Sequence, residues 1–312
     1  MSQPTRSSIV PFANWGVKRR EGDGPLQAIA RRAGARFFRS IEDLLDEDLE
    51  ARISRIPTHF NEVGFDPFGW DPDTARYALA VAALLHRRYF RTIVHGLDNV
   101  PERGPLLVIA NHSGQVPVDG LVIGAALMMD AEPPRLPRSM VEKWSAQLPF
   151  VSVFFQRCGQ VVGSPDNARR LLEQGETLVV FPEGAQGISK TFDRRYQMVD
   201  FGLGFMRLAL ETQTPILPVG VIGGEEQYVS VADLKPLARL LGMPAFPIIP
   251  QVFLGMLAPL PTRYRLYLGE PLRFDGDPDD DDAVIEEKVW VVRATIQSML
   301  NRGLKERKHV FF

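Results

Sequence analysis

Residues 106–119 read LLVIANHSGQVPVD: five apolar side chains in an unbroken run, then Asn111 and His112, a turn-forming stretch with Gly114 and Pro117, and finally Asp119. A strand with one wet face alternates apolar and polar residues, whereas a strand covered on both faces stays apolar throughout. The run at 106–110 is of the second kind. The stretch TLVVF at 177–181 repeats the pattern and leads into a second polar cluster, PEGAQGISK. Other apolar runs at 92–94, 216–222 and 264–268 alternate with helical spacing at 121–130, 167–174 and 203–212. Such alternation predicts an α/β fold with a mainly parallel central sheet flanked by helices.

Outward from this region, helical spacing recurs at 73–90, started by Pro72 and Asp73, and at 44–56 through Leu44, Leu45, Leu49, Ile53 and Ile56. Acidic residues 279–282 suit the N-terminal turn of a helix near 283–301, where they complement its dipole. The stretch GFDPFGWDP at 64–72 is punctuated by Gly and Pro and reads as a connecting loop. The chain thus divides into an N-terminal helical extension, 1–72, and a catalytic unit, 73–312, that closes on a C-terminal helix.

Charge and composition exclude several classes. Lys and Arg number 36 against 38 Asp and Glu, so no global positive field favours nucleic acid. Cys158 is the single cysteine, which excludes an internal disulfide framework and a zinc site of paired cysteines. Residues 1–17 lack the apolar run of a secretory signal, and no run of 18 apolar residues occurs, so a cytoplasmic chain without a spanning helix is expected.

Two segments nevertheless invite lipid. Residues 1–40 hold eight basic and two acidic side chains. Leu26, Ile29, Ala30, Ala33 and Phe37 share one helical face, and Arg32, Arg36 and Arg39 gather on another. This suits either a helix lying on an anionic membrane surface or one docked on the protein's own core. Residues 243–261 have Gln251 as their one clearly polar residue, but five prolines break any spanning helix. They form either a buried loop with a short strand or a membrane-dipping or acyl-binding segment.

No G-x-S-x-G elbow, H-E-x-x-H pair or phosphate-binding P-loop is present. What remains is polar punctuation directly after apolar strands, at the ends where open α/β sheets bind ligands. His112 is the candidate base, because an imidazole cycles its proton near neutral pH. Asp119 can accept a hydrogen bond from the ring and fix its tautomer, or can simply cap the following helix. Seven extended residues span about 24 Å, so pairing requires the loop to fold back. In the second cluster Glu183, Gly184, Gly187, Lys190 and Arg194 form either an anion-holding loop or a solvent-facing turn. Arg157, closing the apolar run 151–155, is a residue type suited to a bidentate grip on phosphate or carboxylate.

Together NHSGQVPVD (111–119), FFQR (154–157), FPEG (181–184) and PILPVGVIG (215–223) stand in the order and spacing of four blocks. They resemble the phospholipid/glycerol acyltransferase superfamily, which includes lysophosphatidic acid acyltransferases, over roughly residues 96–269. The resemblance implies a glycerolipid acyltransferase-like fold that transfers a fatty acyl group from acyl-CoA or acyl carrier protein to a glycerolipid hydroxyl. It implies no metal or redox cofactor, and membrane lipids and the acyl carrier as partners of a peripherally associated protein. Carried over by position, His112 deprotonates the acceptor and Asp119 orients it, while Asn111, Arg157, Glu183 and Gly184 place the acceptor or its headgroup.

This chain departs from the family pattern twice. Six residues rather than four separate His112 from Asp119, and Ala185 and Gln186 replace the Thr-Arg that commonly follows FPEG. Lys190 or Arg194 is then the cation expected for a headgroup phosphate. The longer, proline-containing loop resembles the branch related to mono- and diacylglycerol acyltransferases. Two other readings stand beside transfer: a non-catalytic membrane- or lipid-binding protein that keeps the fold, and a lipid or thioester hydrolase in which His112 activates water.

Overall fold

The run 106–110 becomes the middle of a seven-stranded sheet. The computed structural model describes residues 47–56, 66–116, 118–141, 151–240, 246–256 and 258–311. In chain order its elements are α1 (Glu47–Ser54), α2 (Pro72–Leu84), β1 (Ile93–His95), β2 (Leu106–Ala110), α3 (Val118–Met129), β3 (Pro137–Val141), α4 (Val151–Arg157), β4 (Val161–Val162) and α5 (Pro165–Glu173). They continue with β5 (Thr177–Val180), α6 (Gly184–Ile188), α7 (Gly204–Thr212), β6 (Ile216–Ile222), β7 (Ala232–Asp233), α8 (Lys235–Leu240), β8 (Pro247–Ile248), α9 (Pro250–Phe253), β9 (Arg265–Leu268) and α10 (Asp282–Glu306).

The strand order is β1-β9-β6-β2-β5-β3-β4, and β7 and β8 form a separate pair. Strands β6, β2, β5, β3 and β4 run parallel, while β9 is antiparallel to β6 and carries β1 parallel to itself. The register pairs Ile109 with Val180 and Ala110 with Val219. The loops leaving β2, β5 and β6 therefore emerge side by side at one edge of the sheet.

Each residue of β2 is fully buried because both faces are covered. Leu107 and Ile109 pack with Leu171 and Leu172 of α5, Met206 of α7 and Ile296 of α10. Leu106, Val108 and Ala110 pack on the other face with Val122, Ile123 and Leu127 of α3. A period-2 strand between two helix layers thus shows in the sequence as continuous apolarity. Beyond α3, a third cluster joins Leu49, Ile53 and Ile56 with Trp70, Ala80, Met128 and Met129. Helix starts follow ordinary capping chemistry. Asp71 accepts from Asp73 N and the Thr74 hydroxyl at 3.2 and 2.6 Å, and Ser164 accepts from Asn167 N at 3.2 Å.

Several expectations need correcting or bounding. The apolar run 151–155, to which the sequence reading gave no element, lies in helix α4. Strand β3 escapes the apolar pattern because it buries Arg138, whose guanidinium reaches Asp66 at 2.7 Å and Glu176 at 3.2 Å. Within 243–261 the described residues give the short strand β8 and helix α9, with Phe253 and Leu254 outward. The basic arm, 1–40, lies outside the described residues. Among those described, no helix is long and apolar enough to cross a membrane.

Candidate active site

The carboxyl edge of β2, β5 and β6 gathers the polar clusters. Asn111 follows β2, and its side-chain amide copies a backbone amide: Oδ1 accepts from Val221 N at 2.7 Å and Nδ2 donates to Val221 O at 3.1 Å. The β2–β6 ladder is thereby extended by one rung through a side chain. Asn111 therefore fixes the start of the next residue's loop, with its amide engaged inside the fold rather than facing a substrate.

His112 sits at the head of that loop. Its Nδ1 lies 2.7 Å from Asp119 Oδ2, so the chain between them does fold back. The same oxygen accepts from Ser113 N at 2.8 Å, and Oδ1 accepts from Gly120 N at 2.8 Å. A carboxylate only accepts, so this contact suits an imidazole that donates through Nδ1 and turns Nε2 away from Asp119. Asp119 also lies in the first turn of α3, so pairing and helix-start roles coexist in one side chain. The imidazole stacks on Phe181 at 4.2 Å between centroids, and its side chain keeps 11% of its surface exposed.

Glu183 is the second anchor, and its contacts lie within the protein. The resemblance assigns it to the acceptor, but Oε1 accepts from His112 N at 2.8 Å, and Oε2 accepts from Val199 N at 3.0 Å and Lys190 Nζ at 3.2 Å. With its carboxylate fully buried, it clamps the backbone of His112. Lys190, expected to grip an anion, is likewise buried and also meets Glu225 at 3.1 Å. Two carboxyl groups thus flank one buried ammonium. Burial pushes Glu225 upward from the usual carboxylate range, against the opposing pull of Lys190.

Gly184 begins α6 at φ +55°, a left-handed backbone that suits glycine. Gly187 is there for space, because a Cβ at that position would stand 2.7 Å from His112 Cβ and 2.8 Å from Glu183 Cβ. Gly187→Ala should therefore push the imidazole out of line and lower turnover about 10²-fold, as small misplacements do. Steady-state kinetics beside a thermal melt check this: the melt should move far less than the rate.

The remaining predicted residues stand apart. Arg157 is exposed at the end of α4, and Arg194 is exposed in the turn Phe192–Arg194. Neither shares a hydrogen bond with the His112 cluster among the described residues. Burial, then Asp71, pushes the Cys158 thiol up to about 12, so it stays protonated at pH 8. A neutral thiol is a poor nucleophile. Iodoacetamide at pH 8 should accordingly alkylate Cys158 much more slowly than free cysteine, as mass spectrometry would read.

Sequence reasoning missed the third loop, GGEEQ at 223–227, although it follows an apolar strand just as the other two clusters do. Glu225 pairs with Lys190. Glu226 holds Arg307 at 2.7 Å and accepts from the Tyr196 hydroxyl. Gln227 donates to Val116 O at 2.9 Å and accepts from the Tyr264 hydroxyl at 3.0 Å. This buried polar layer supports the His112 loop from below.

The sequence profile of the Acyltransferase family matches residues 91–222, a span that contains His112, Asp119, Glu183 and Lys190. Uncharacterized proteins of Mycobacterium tuberculosis and Mycobacterium leprae are 37% identical to this chain over 255 and 290 residues. Those alignments cover 79% and 86% of this chain and 71% and 79% of the relatives. A human protein described as a DGAT1/2-independent enzyme synthesizing storage lipids is 24% identical over 210 residues, covering 67% of this chain and 60% of its own. The crystal structure of the 1-acyl-sn-glycerophosphate (LPA) acyltransferase, PlsC, from Thermotoga maritima aligns at 20% identity with a TM-score of 0.48, over 75% of this chain and 83% of that one. The fold and site define an α/β protein with a His–carboxylate pair at the carboxyl edge of its sheet. The chain belongs to the acyltransferase family and is an acyltransferase.

Proposed function

We propose that this enzyme transfers a fatty acyl group from acyl-CoA or acyl carrier protein to a hydroxyl of a glycerolipid at a membrane surface, with His112 as general base. The observation that carries the reading is the 2.7 Å contact of His112 with Asp119, which leaves Nε2 without a hydrogen bond among the described residues. Nε2 takes the proton of the acceptor hydroxyl as its oxygen attacks the thioester carbonyl. Collapse of the tetrahedral adduct forms the ester and expels the thiolate, which recovers the proton from the imidazolium. Asp119 stabilises that imidazolium and holds the tautomer. Every bond made or broken is polar, so the scheme calls on no metal or redox group.

A neutral acceptor, mono- or diacylglycerol, is favoured over lysophosphatidate. Ala185 and Gln186 stand where the family commonly supplies a cation, and Lys190 is already matched by Glu183 and Glu225. The name of the human relative, which speaks of storage lipids, is in keeping with this choice. The test is thiol release from long-chain acyl-CoA with monoacylglycerol, diacylglycerol, lysophosphatidate and other lysophospholipids as acceptors. Ester formed fastest on a neutral acceptor supports the reading. Free fatty acid released without any acceptor would replace transfer by hydrolysis, and lipid binding with no thiol release would leave a binding protein.

A further inference from the structure

We propose that β8, α9 and the residues that follow form an apolar wedge that enters a lipid bilayer. The proposal rests on the glycerolipid reading above and adds the surface by which the enzyme meets its acceptor. From 242 to 262 the chain carries no charged residue, between Arg239 and Arg263. Within this stretch Val252, Phe253, Leu254 and Met256 are exposed, Phe253 by 76% and Leu254 by 79%. These two are the most exposed large apolar side chains among the described residues. Val231 and Leu234, which flank β7, the strand paired with β8, are also exposed. An exposed contiguous apolar patch marks an interaction surface.

The backbone of the wedge identifies the partner as hydrocarbon. Pro247 and Pro250 have no N–H to satisfy. Val252 N donates to Ile249 O at 3.0 Å, Leu254 N to Pro250 O at 3.2 Å, Gly255 N to Val252 O at 3.0 Å and Met256 N to Gln251 O at 3.0 Å. These donors are met internally, as a segment inside lipid requires. Protein interfaces surround an apolar centre with a polar rim that hydrogen-bonds, whereas the projecting side chains here are Val, Phe, Leu and Met.

The wedge is also tied to the site. Gln251, buried at its base, donates to Gln227 O at 3.0 Å and accepts from Val229 N at 3.2 Å. Gln227 in turn donates to Val116 O, inside the loop that joins His112 to Asp119. Hydrogen bonds therefore link the foot of the wedge, at Gln251, to Val116 in the loop between His112 and Asp119, and insertion would place that loop near the membrane surface.

The experiment is flotation of the full chain with vesicles of phosphatidylcholine, alone and mixed with phosphatidylglycerol. It is run at high salt, where attraction of the basic residues 1–40 to anionic lipid is screened. The double variant Phe253→Ser, Leu254→Ser should lose vesicle binding about tenfold or more, with turnover on a soluble short-chain acceptor unchanged. As a second reporter, Leu254→Trp should gain a blue-shifted emission component that brominated phosphatidylcholine quenches. Flotation of the double variant equal to wild type, or an added indole emission in Leu254→Trp that bromolipid leaves unquenched, would overturn the wedge. So would self-association of the wild type that the double variant abolishes while flotation persists, since the face would then join copies of the chain. Failure of the functional reading looks different: the wild type would float and lose binding on substitution, yet acylate no glycerolipid.

Discussion

Replacement of His112 by alanine is expected to lower acyl transfer by about 10²–10⁴-fold, the range a positioned general base supplies, while the protein stays folded. The two halves of this expectation rest on different contacts. The Nε2 lone pair lies outside the hydrogen-bond network among the described residues, so its loss removes chemistry and no internal partner. Asp119 loses one donor but keeps Ser113 N and Gly120 N, both at 2.8 Å, and the loop retains its fold. Thiol release from acyl-CoA measures the first half and a far-ultraviolet melt the second. Normal transfer by the alanine variant would remove His112 from the mechanism, and a collapsed melt would show that it is structural as well.

Glu183→Ala is expected to cost about 3 kcal/mol of stability, the scale of breaking a buried ion pair, and to depress kcat along with it. Its carboxylate meets three donors: His112 N at 2.8 Å, Val199 N at 3.0 Å and Lys190 Nζ at 3.2 Å. Deletion orphans the buried His112 N–H and the half-buried Val199 N–H and leaves Lys190 with Glu225 as its remaining partner. A residue that grips the acceptor would behave otherwise, raising KM without touching the fold. Urea unfolding beside steady-state kinetics separates the two roles. Glu183→Gln should recover part of the loss, since its one carbonyl oxygen can replace Oε1 toward His112 N but cannot neutralise Lys190. A KM effect at unchanged stability would return Glu183 to the acceptor-binding role that the FPEG resemblance implied.

Much of the scaffold was legible because local periodicity is written in neighbouring residues. The unbroken run LLVIA foretold a strand covered on both faces, and Leu107 and Ile109 do face one helix layer while Leu106, Val108 and Ala110 face the other. The start signal at Pro72 and Asp73 marked a helix for the same reason, and Asp71 caps it. Strand β3 was hidden because Arg138 looks like a surface residue until Asp66 and Glu176 are seen around it. The residue types at the site were equally readable, an imidazole and carboxylates after apolar strands. Their partners were not: the contacts of Glu183 with His112, Val199 and Lys190 came into view only in the folded chain.

Chain order alone determined that a buried parallel sheet would form, and that His112 and Glu183 would follow the ends of its strands. Folding decided which of them touch. His112 N meets a carboxylate 71 positions away, and Asn111 meets a backbone 110 positions away, because β2 lies between β5 and β6. Strand order is a global outcome of packing both faces of the sheet, whereas hydrophobic period is a local one. A hydrogen bond across neighbouring strands therefore becomes visible only when the whole sheet is assembled.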